Sequence, residues 1–320
     1  MRVLILTRFY LNGQSTHVFS LCKELIHQGH SPFLVISNLS QQYLHWLQRN
    51  RIPYSSKMDL KFLKKLIHKE KIELIHTHSV HTLPLALELR DSLNIPVVAT
   101  CHYLDFQPIS ELIKANRIIA ISDEMKRQLK LPHQKTVVIE NGVDTSIFRP
   151  LPKKSSTRNA IILTRMTPDR ETAFAKVAQI MLNYDWKIIS IGNWRPKDLK
   201  LTSLGWQIDV APYLRQADLV IGTGRAIREG MAAGCVGCVL GDYFDGLVTP
   251  TTVEPLRKTN FSGRTFKHDL SSSLLEKTLN TLSSLTELRN LQQFSYRYGK
   301  NNFSLHTMVE KTITVYQSCF

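Results

Sequence analysis

The stretch Asp218-Leu-Val-Ile-Gly-Thr-Gly-Arg-Ala-Ile-Arg-Glu-Gly-Met-Ala-Ala-Gly-Cys235 decides the architecture of this 320-residue chain. Its opening, Asp218 to Ile221, is a short bounded apolar run of the kind found in buried parallel strands. A glycine turn follows, and then a helix predicted over 225–233 that begins with Arg225. Gly222 and Gly224 accept backbone conformations closed to other residues and let another molecule approach the main chain. The unpaired N–H groups at the start of such a helix favour an anion. Glu229 sits one helical turn behind Arg225, placed for sugar hydroxyls or for an ordinary pair with Arg225.

Outward from this unit the same alternation recurs. Strands are predicted at 160–164, 186–191 and 236–240, with helices at 171–183 and near 212–217; the chain is helical from 271, ending in Leu305–Gln317. Earlier, strands are expected at Val3–Leu6, Phe33–Ile36, Leu74–His78, Val97–Thr100, Ile118–Ile121 and Val137–Glu140, separated by helical segments. Strand–helix alternation means a parallel sheet covered on both faces. The stretch Arg149-Pro-Leu-Pro-Lys-Lys-Ser-Ser-Thr157 reads as a linker. The fold class is therefore α/β, with two doubly wound, Rossmann-like parallel-sheet domains facing a cleft: residues 1–150 and 151–302. Ligands of such sheets bind beyond the carboxyl ends of the strands, which selects Thr7–Ser15, Cys101–Asp105, Thr164–Arg170 and Gly222–Arg225.

Composition narrows the class. Hydrophobic residues make up 43% and charged residues 21%, a globular balance. The excess of 41 basic over 26 acidic residues is spread over both halves, 19 against 12 in residues 1–150 and 22 against 14 in the remainder. A surface of this charge suits phosphate-rich substrates or an anionic membrane face. No helix-turn-helix, zinc-finger or stacking pattern accompanies it, so nucleic acid is not the expected partner. The five cysteines are odd in number and lie mostly in apolar runs, as reduced core thiols do. No signal peptide and no run of 18 apolar residues is present, and the expected location is cytoplasmic. Leu60, Leu63, Leu66 and Ile67 share a helix with Lys61, Lys64, Lys65 and Lys69. Such a helix either faces a membrane or packs on the sheet with its lysines in water, the second being the expectation.

Arg165 and Arg170 follow the strand at 160–164 in a predicted loop, where two cations grip a diphosphate or pair with Asp169 and Glu171. His102 closes the strand at 97–100 and positions a sugar or bonds a backbone carbonyl. His76, His78 and His81 have the look of metal ligands, but no carboxylate cluster joins them; lining or packing is the expected role, with no metal.

Taken in order, these segments resemble the retaining, family-four glycosyltransferases of the GT-B fold. The resemblance lies in Met1-Arg-Val-Leu-Ile-Leu6 with Asn12-Gly13 and Gln28-Gly-His30, Glu73-Leu-Ile-His-Thr-His-Ser79, Val97 to His102, Arg117 to Ser122 and Val138 to Asp144 with Phe148-Arg-Pro150. It continues in Arg165-Met-Thr-Pro-Asp-Arg170, Ala217-Asp218 and Glu229-Gly-Met-Ala-Ala-Gly234. It implies a nucleoside diphosphate sugar donor, no cofactor, and a hexose moved to a glycan or lipid-linked acceptor with retention and without metal. Catalytic roles fall to His102, Arg165 and Arg170. Donor binding falls to Gly13, Thr223, Gly224, Arg225 and Glu229, with Glu229 on the ribose and Gly13 giving the diphosphate room. The last helix, about 303–320, would return to the first domain, and the enzyme would sit peripherally at the inner face of an anionic membrane. One departure stands out: the family carries a glutamate eight positions before Glu229, where this chain has Ile221. Thr223, Arg225 and backbone N–H groups are expected to replace it. A sugar-nucleotide epimerase of the same fold, or an inactive nucleotide-sugar binder, are the alternatives.

Overall fold

The computed structural model describes residues 1–152 and 157–320; residues 153–156 of the expected linker lie outside the described residues. The chain divides into two compact units, Met1–Gly142 with Leu305–Phe320, and Val143–Ser304. The division falls ahead of the proline-containing stretch. Val143 already belongs to the second unit, because its N–H bonds the Phe303 carbonyl at 2.7 Å and it bridges Ser304.

Unit 1 opens with β1 (Arg2–Arg8), α1 (Gly13–His27), β2 (Ser31–Ser37), α2 (Gln41–Arg49) and β3 (Tyr54–Ser55). It continues with α3 (Leu60–Glu70), β4 (Leu74–Thr77), α4 (Leu83–Leu93), β5 (Val97–Cys101) and α5 (Ile109–Leu112), then β6 (Arg117–Ala120), α6 (Asp123–Gln128) and β7 (Thr136–Val138). Its sheet runs β3-β2-β1-β4-β5-β6-β7, with every pairing parallel. Strands in such a sheet are covered on both faces and so are apolar throughout; Val3 to Leu6 and Val97 to Cys101 are wholly buried. Strand order reverses between β1 and β4, so the loops after those two strands flank the switch point where doubly wound sheets bind ligands.

Unit 2 runs β8 (Asn159–Thr164), α7 (Pro168–Asn183), β9 (Lys187–Gly192), β10 (Thr202–Gly205), α8 (Ala211–Leu214), β11 (Leu219–Gly222) and α9 (Arg225–Ala232). Then come β12 (Val236–Leu240), β13 (Phe244–Leu247), α10 (Val253–Lys258), α11 (Ser272–Ser283) and α12 (Leu285–Asn302). Its sheet order is β10-β9-β8-β11-β12-β13, reversing between β8 and β11. Among the described residues, β13 is the one strand of this sheet that runs antiparallel, to β12. The last helix, α13 (Leu305–Gln317), belongs to unit 1.

Two local readings change and a third holds. Arg170 is not in a loop: α7 begins at Pro168, because Thr167 is extended and proline suits the first helical turn. Gly13 likewise opens α1 rather than lying in a polar loop, with the Asn12 side chain accepting the Gln14 N–H at 3.0 Å. As expected, Leu63, Leu66 and Ile67 of α3 are buried in the unit 1 core, so that apolar stripe does not face a membrane. Lys61, Lys65 and Lys69 stay exposed on the opposite side.

Candidate functional site

In unit 2 the loops after β8, β11 and β12 converge at the carboxyl end of the sheet. After β8, Arg165 is exposed. The next residue is pinned by Asn193, which accepts from the Met166 N–H at 2.7 Å and donates to its carbonyl at 2.9 Å. In the first turn of α7, the Arg170 Nη2 donates to Asp242 Oδ1. Of the partners expected for Arg170, Asp169 lies at 4.0 Å, beyond hydrogen-bond range, and Glu171 instead accepts from the Trp194 indole at 3.3 Å. The other oxygen of Asp242 accepts from Arg264 Nη1 at 2.9 Å. Burial alone would raise the Asp242 carboxyl; the hydrogen bonds and charges of Arg264 and Arg170 outweigh it and hold the group below its usual value.

After β11 the glycines serve the fold. A Cβ on Gly222 would stand 2.5 Å from the Leu163 carbonyl, so glycine lets β11 and β8 close together. Gly224 has φ +56°, a left-handed conformation suited to glycine. Its N–H donates to the Phe261 carbonyl at 3.0 Å, so that backbone donor, expected to stand in for the family's glutamate, is already used. Thr223 lies half-buried between these two glycines. The Arg225 guanidinium, read as facing an anion, turns back along α9: its Nε meets Glu229 Oε1 at 2.6 Å, with both side chains more than nine-tenths buried. Burial raises the Glu229 carboxyl and the Arg225 charge opposes the shift. One position before Glu229, Arg228 is wholly buried between Phe261 and Phe303, 5.1 and 4.7 Å from the ring centroids, a cation–π arrangement. Asn193, Asp242, Arg264 and Arg228 were not identifiable in advance, since their partners come from distant loops.

In unit 1 the switch point gathers histidines. Gly13 is exposed, and Gln14 beside it donates to Thr7 Oγ1 at 3.1 Å and to the His78 carbonyl at 2.8 Å, tying the start of α1 to the ends of β1 and β4. His102, after β5, has its Nε2 3.0 Å from His78 Nδ1 and its ring edge-on to His17. His76 is held between Tyr316 Oη at 2.6 Å and Thr100 Oγ1 at 2.7 Å. Burial, reinforced by repulsion from His17 and His76, holds His102 well below the ordinary histidine value. At neutral pH it is an uncharged group that can bond a hydroxyl. Of the histidines singled out by spacing, His76 and His78 are packed here while His81 is exposed. Among the described residues, two groups bring their ligand atoms within 4.8 Å of one another: His17, His78 and His102, and Glu24, His27 and His306.

With this geometry in hand, comparison with known proteins is direct. Residues 11–147 match the family model described as Glycosyltransferase Family 4. An Escherichia coli UDP-Gal:alpha-D-GlcNAc-diphosphoundecaprenol alpha-1,3-galactosyltransferase is 26% identical over 58% of this chain; the match spans 64% of that relative's length. Among solved structures, Anabaena HepE in complex with UDP and glucose superposes with a TM-score of 0.75 at 14% identity, covering 99% of this chain and all of that one. A glycosyltransferase from Rickettsia africae gives 0.73 at 18% identity, with 99% and 98% covered. The sucrose-phosphate synthase of Thermosynechococcus elongatus gives 0.71 at 16%, with 99% of each chain covered. The chain thus has the α/β fold of GT-B glycosyltransferases and resembles those of family four.

Proposed function

We propose that this GT-B-fold protein is a glycosyltransferase that takes a hexose from a UDP-sugar and transfers it, with retention, to a lipid-linked or other glycan acceptor of the cell envelope. The convergence of the β8, β11 and β12 loops in unit 2, with Arg170 held at the head of α7, carries this reading. Arginines at that end of a doubly wound sheet suit a diphosphate. UDP is preferred among the bases because HepE was solved with UDP and glucose and the E. coli relative is a UDP-galactose enzyme.

In this mechanism Arg165 and Arg170 stabilise the negative charge that grows on the diphosphate as the glycosidic bond breaks. They do so without a metal ion. Glu229, whose carboxylate is fixed by Arg225, accepts the ribose hydroxyls; Gly13 and Thr223 leave room for the donor. His102, neutral, bonds a hydroxyl of the transferred hexose. The lipid-linked acceptor of the E. coli relative supports an acceptor of the same kind. It accords with the basic surface, +15 at neutral pH, which favours peripheral contact with anionic lipid on the cytoplasmic face.

The test is incubation with UDP-glucose, UDP-galactose and UDP-N-acetylglucosamine, each with and without a diphosphoundecaprenol-linked sugar, with product mass and anomeric configuration read out. Transfer that needs the acceptor supports the proposal. Donor interconversion without acceptor would mark an epimerase, and UDP binding with neither reaction an inactive binder. Activity is expected to persist in excess EDTA; loss on chelation and rescue by magnesium or manganese would overturn metal independence.

A further inference from the structure

The carboxyl end of α1 and the start of α13 bring three metal-binding side chains together on the surface of unit 1. Glu24 and His27 stand three residues apart in the last turns of α1, and so share a face of that helix. His306, the second residue of α13, comes from the far end of the chain. Glu24 Oε1 is 2.8 Å from His306 Nδ1 and 3.6 Å from His27 Nδ1, and the three ligand atoms all lie within 4.8 Å of one another. A second layer of polar groups surrounds them. Gln28 Nε2 donates to Glu24 Oε1 at 2.9 Å and to the His306 carbonyl at 3.3 Å. Both amide hydrogens are thereby accounted for, which leaves His306 Nδ1, 3.1 Å from the same nitrogen, to face Glu24. The other ring nitrogen of His306 lies 3.4 Å from Glu310 Oε1, one turn along α13. The Glu24 side chain is 15% exposed, against 77% for His27 and 56% for His306, so a held carboxylate sits beneath two imidazoles that solvent ions can reach.

We propose that Glu24, His27 and His306 form a zinc site that staples α13 onto α1. Two imidazoles and one carboxylate, with a fourth position open to water, are a donor set that zinc takes. With zinc–ligand bonds of about 2.0–2.1 Å, neighbouring ligands of a tetrahedral ion stand roughly 3.3 Å apart, and the spacings of 2.8 and 3.6 Å fall on either side of that value. Zinc takes the place of the proton between Glu24 and His306. The Nδ1 proton leaves to solvent, as metal binding to an imidazole requires, and Nε2 keeps its hydrogen toward Glu310. Ligating histidines donate their second ring nitrogen to a carboxylate, and ligating carboxylates are themselves hydrogen-bonded. Glu310 and Gln28 supply those two supports, which separates this cluster from an ordinary surface pair. Gly13, at the opposite end of α1, is eleven residues from Glu24, about 16 Å at the helical rise. The ion therefore takes no part in donor chemistry, and the metal-free mechanism above does not depend on it.

The experiment titrates zinc into the full chain by calorimetry, in mildly alkaline buffer, with no histidine tag and after treatment with a chelator. The proteins compared are wild type, Glu24→Gln, His27→Ala, His306→Ala, Glu310→Gln and His68→Ala, an exposed histidine of α3. Each of the three ligand variants should weaken zinc binding at least roughly tenfold, and Glu310→Gln about tenfold. His68→Ala should leave it within about twofold of wild type. Zinc should also raise the melting temperature of wild type, since a ligand of the folded state stabilises it, and raise that of His306→Ala less. If a Glu24 or His306 variant does not fold, His27→Ala decides the matter, because that side chain is mostly in solvent. Wild-type protein that binds no zinc overturns the proposal. So does zinc affinity in His27→Ala within about twofold of wild type, which would assign the ion to another group of side chains such as His17, His78 and His102.

Discussion

Arg165 and Arg170 were singled out together, yet they differ in setting. Arg165 is exposed, and Arg170 is engaged by Asp242. For both, truncation removes a cation from a charge contact in the proposed transition state, typically worth about 2–5 kcal/mol. Since about 1.36 kcal/mol is tenfold in rate, each alanine variant should lower kcat/KM at least roughly thirtyfold in steady-state assays; turnover within twofold of wild type would make them surface residues. Arg165→Ala should leave the melting temperature unchanged. Glu229 is another matter. A carboxylate facing an open site would tolerate truncation, but this one is buried against Arg225 at 2.6 Å. Removing one partner of a buried pair takes its counter-charge from the other, at a cost of about 3–5 kcal/mol. Glu229→Ala should therefore lower the melting temperature of the ligand-free protein by roughly 6 °C or more, measurable by calorimetry. An unchanged melting temperature would show that the pair adds nothing to stability.

Among the elements, α9 is the most tightly seated. A Cβ on Gly230 would stand 2.2 Å from Val220 Cγ1 of β11, and valine is stiff at χ1. Gly230→Ala should destabilise the protein by about 1–3 kcal/mol, seen as a lower denaturation midpoint, and a neutral effect would mean that β11 can move aside. At the other end of the chain, α13 meets α1 through His306, whose Nδ1 is 2.8 Å from Glu24 Oε1. The hydrogen bond to Glu24 raises the His306 pKa above the ordinary histidine value. The protonated contact is therefore complete below that ordinary value and is lost as pH rises through the raised one. An NMR titration should place the His306 midpoint above about 6.5, and Glu24→Gln should lower it; no response to that variant would remove Glu24 as the cause. Helix α3 was readable from its apolar spacing. The start of α7 was not, because the segment up to Arg170 was assigned to the loop, whereas Pro168 opens the first helical turn. Segment 41–49 buries only Tyr43 and Leu47, too sparse a stripe to announce α2.

For the whole molecule, the consequential quantity is charge. With +15 spread over both halves, the protein should co-sediment with vesicles containing anionic lipid and not with neutral ones, and salt should release it. Equal binding to both would rule out electrostatic docking, and α3 offers no apolar face as a substitute. Parallel order and the two doubly wound sheets were legible in the alternation of apolar runs and helical spacing, and with them which loops leave the carboxyl ends of the strands. The reason is that burial on both faces of a strand is a local demand, written at each position of β1, β5, β8, β11 and β12. The return of α13 to unit 1 came from family resemblance alone, and the tertiary structure supplies its contacts with α1. Side-chain partnership was not legible. Asp242 between Arg170 and Arg264, Arg228 between Phe261 and Phe303, and His102 beside His78 each join residues from separate loops. Spacing along the chain orders the elements but does not encode which loop ends meet; that was decided only when parallel strands brought the ends of β8, β11 and β12 to one edge and the close approach of Gly241 to Gly263 set Arg264 among them.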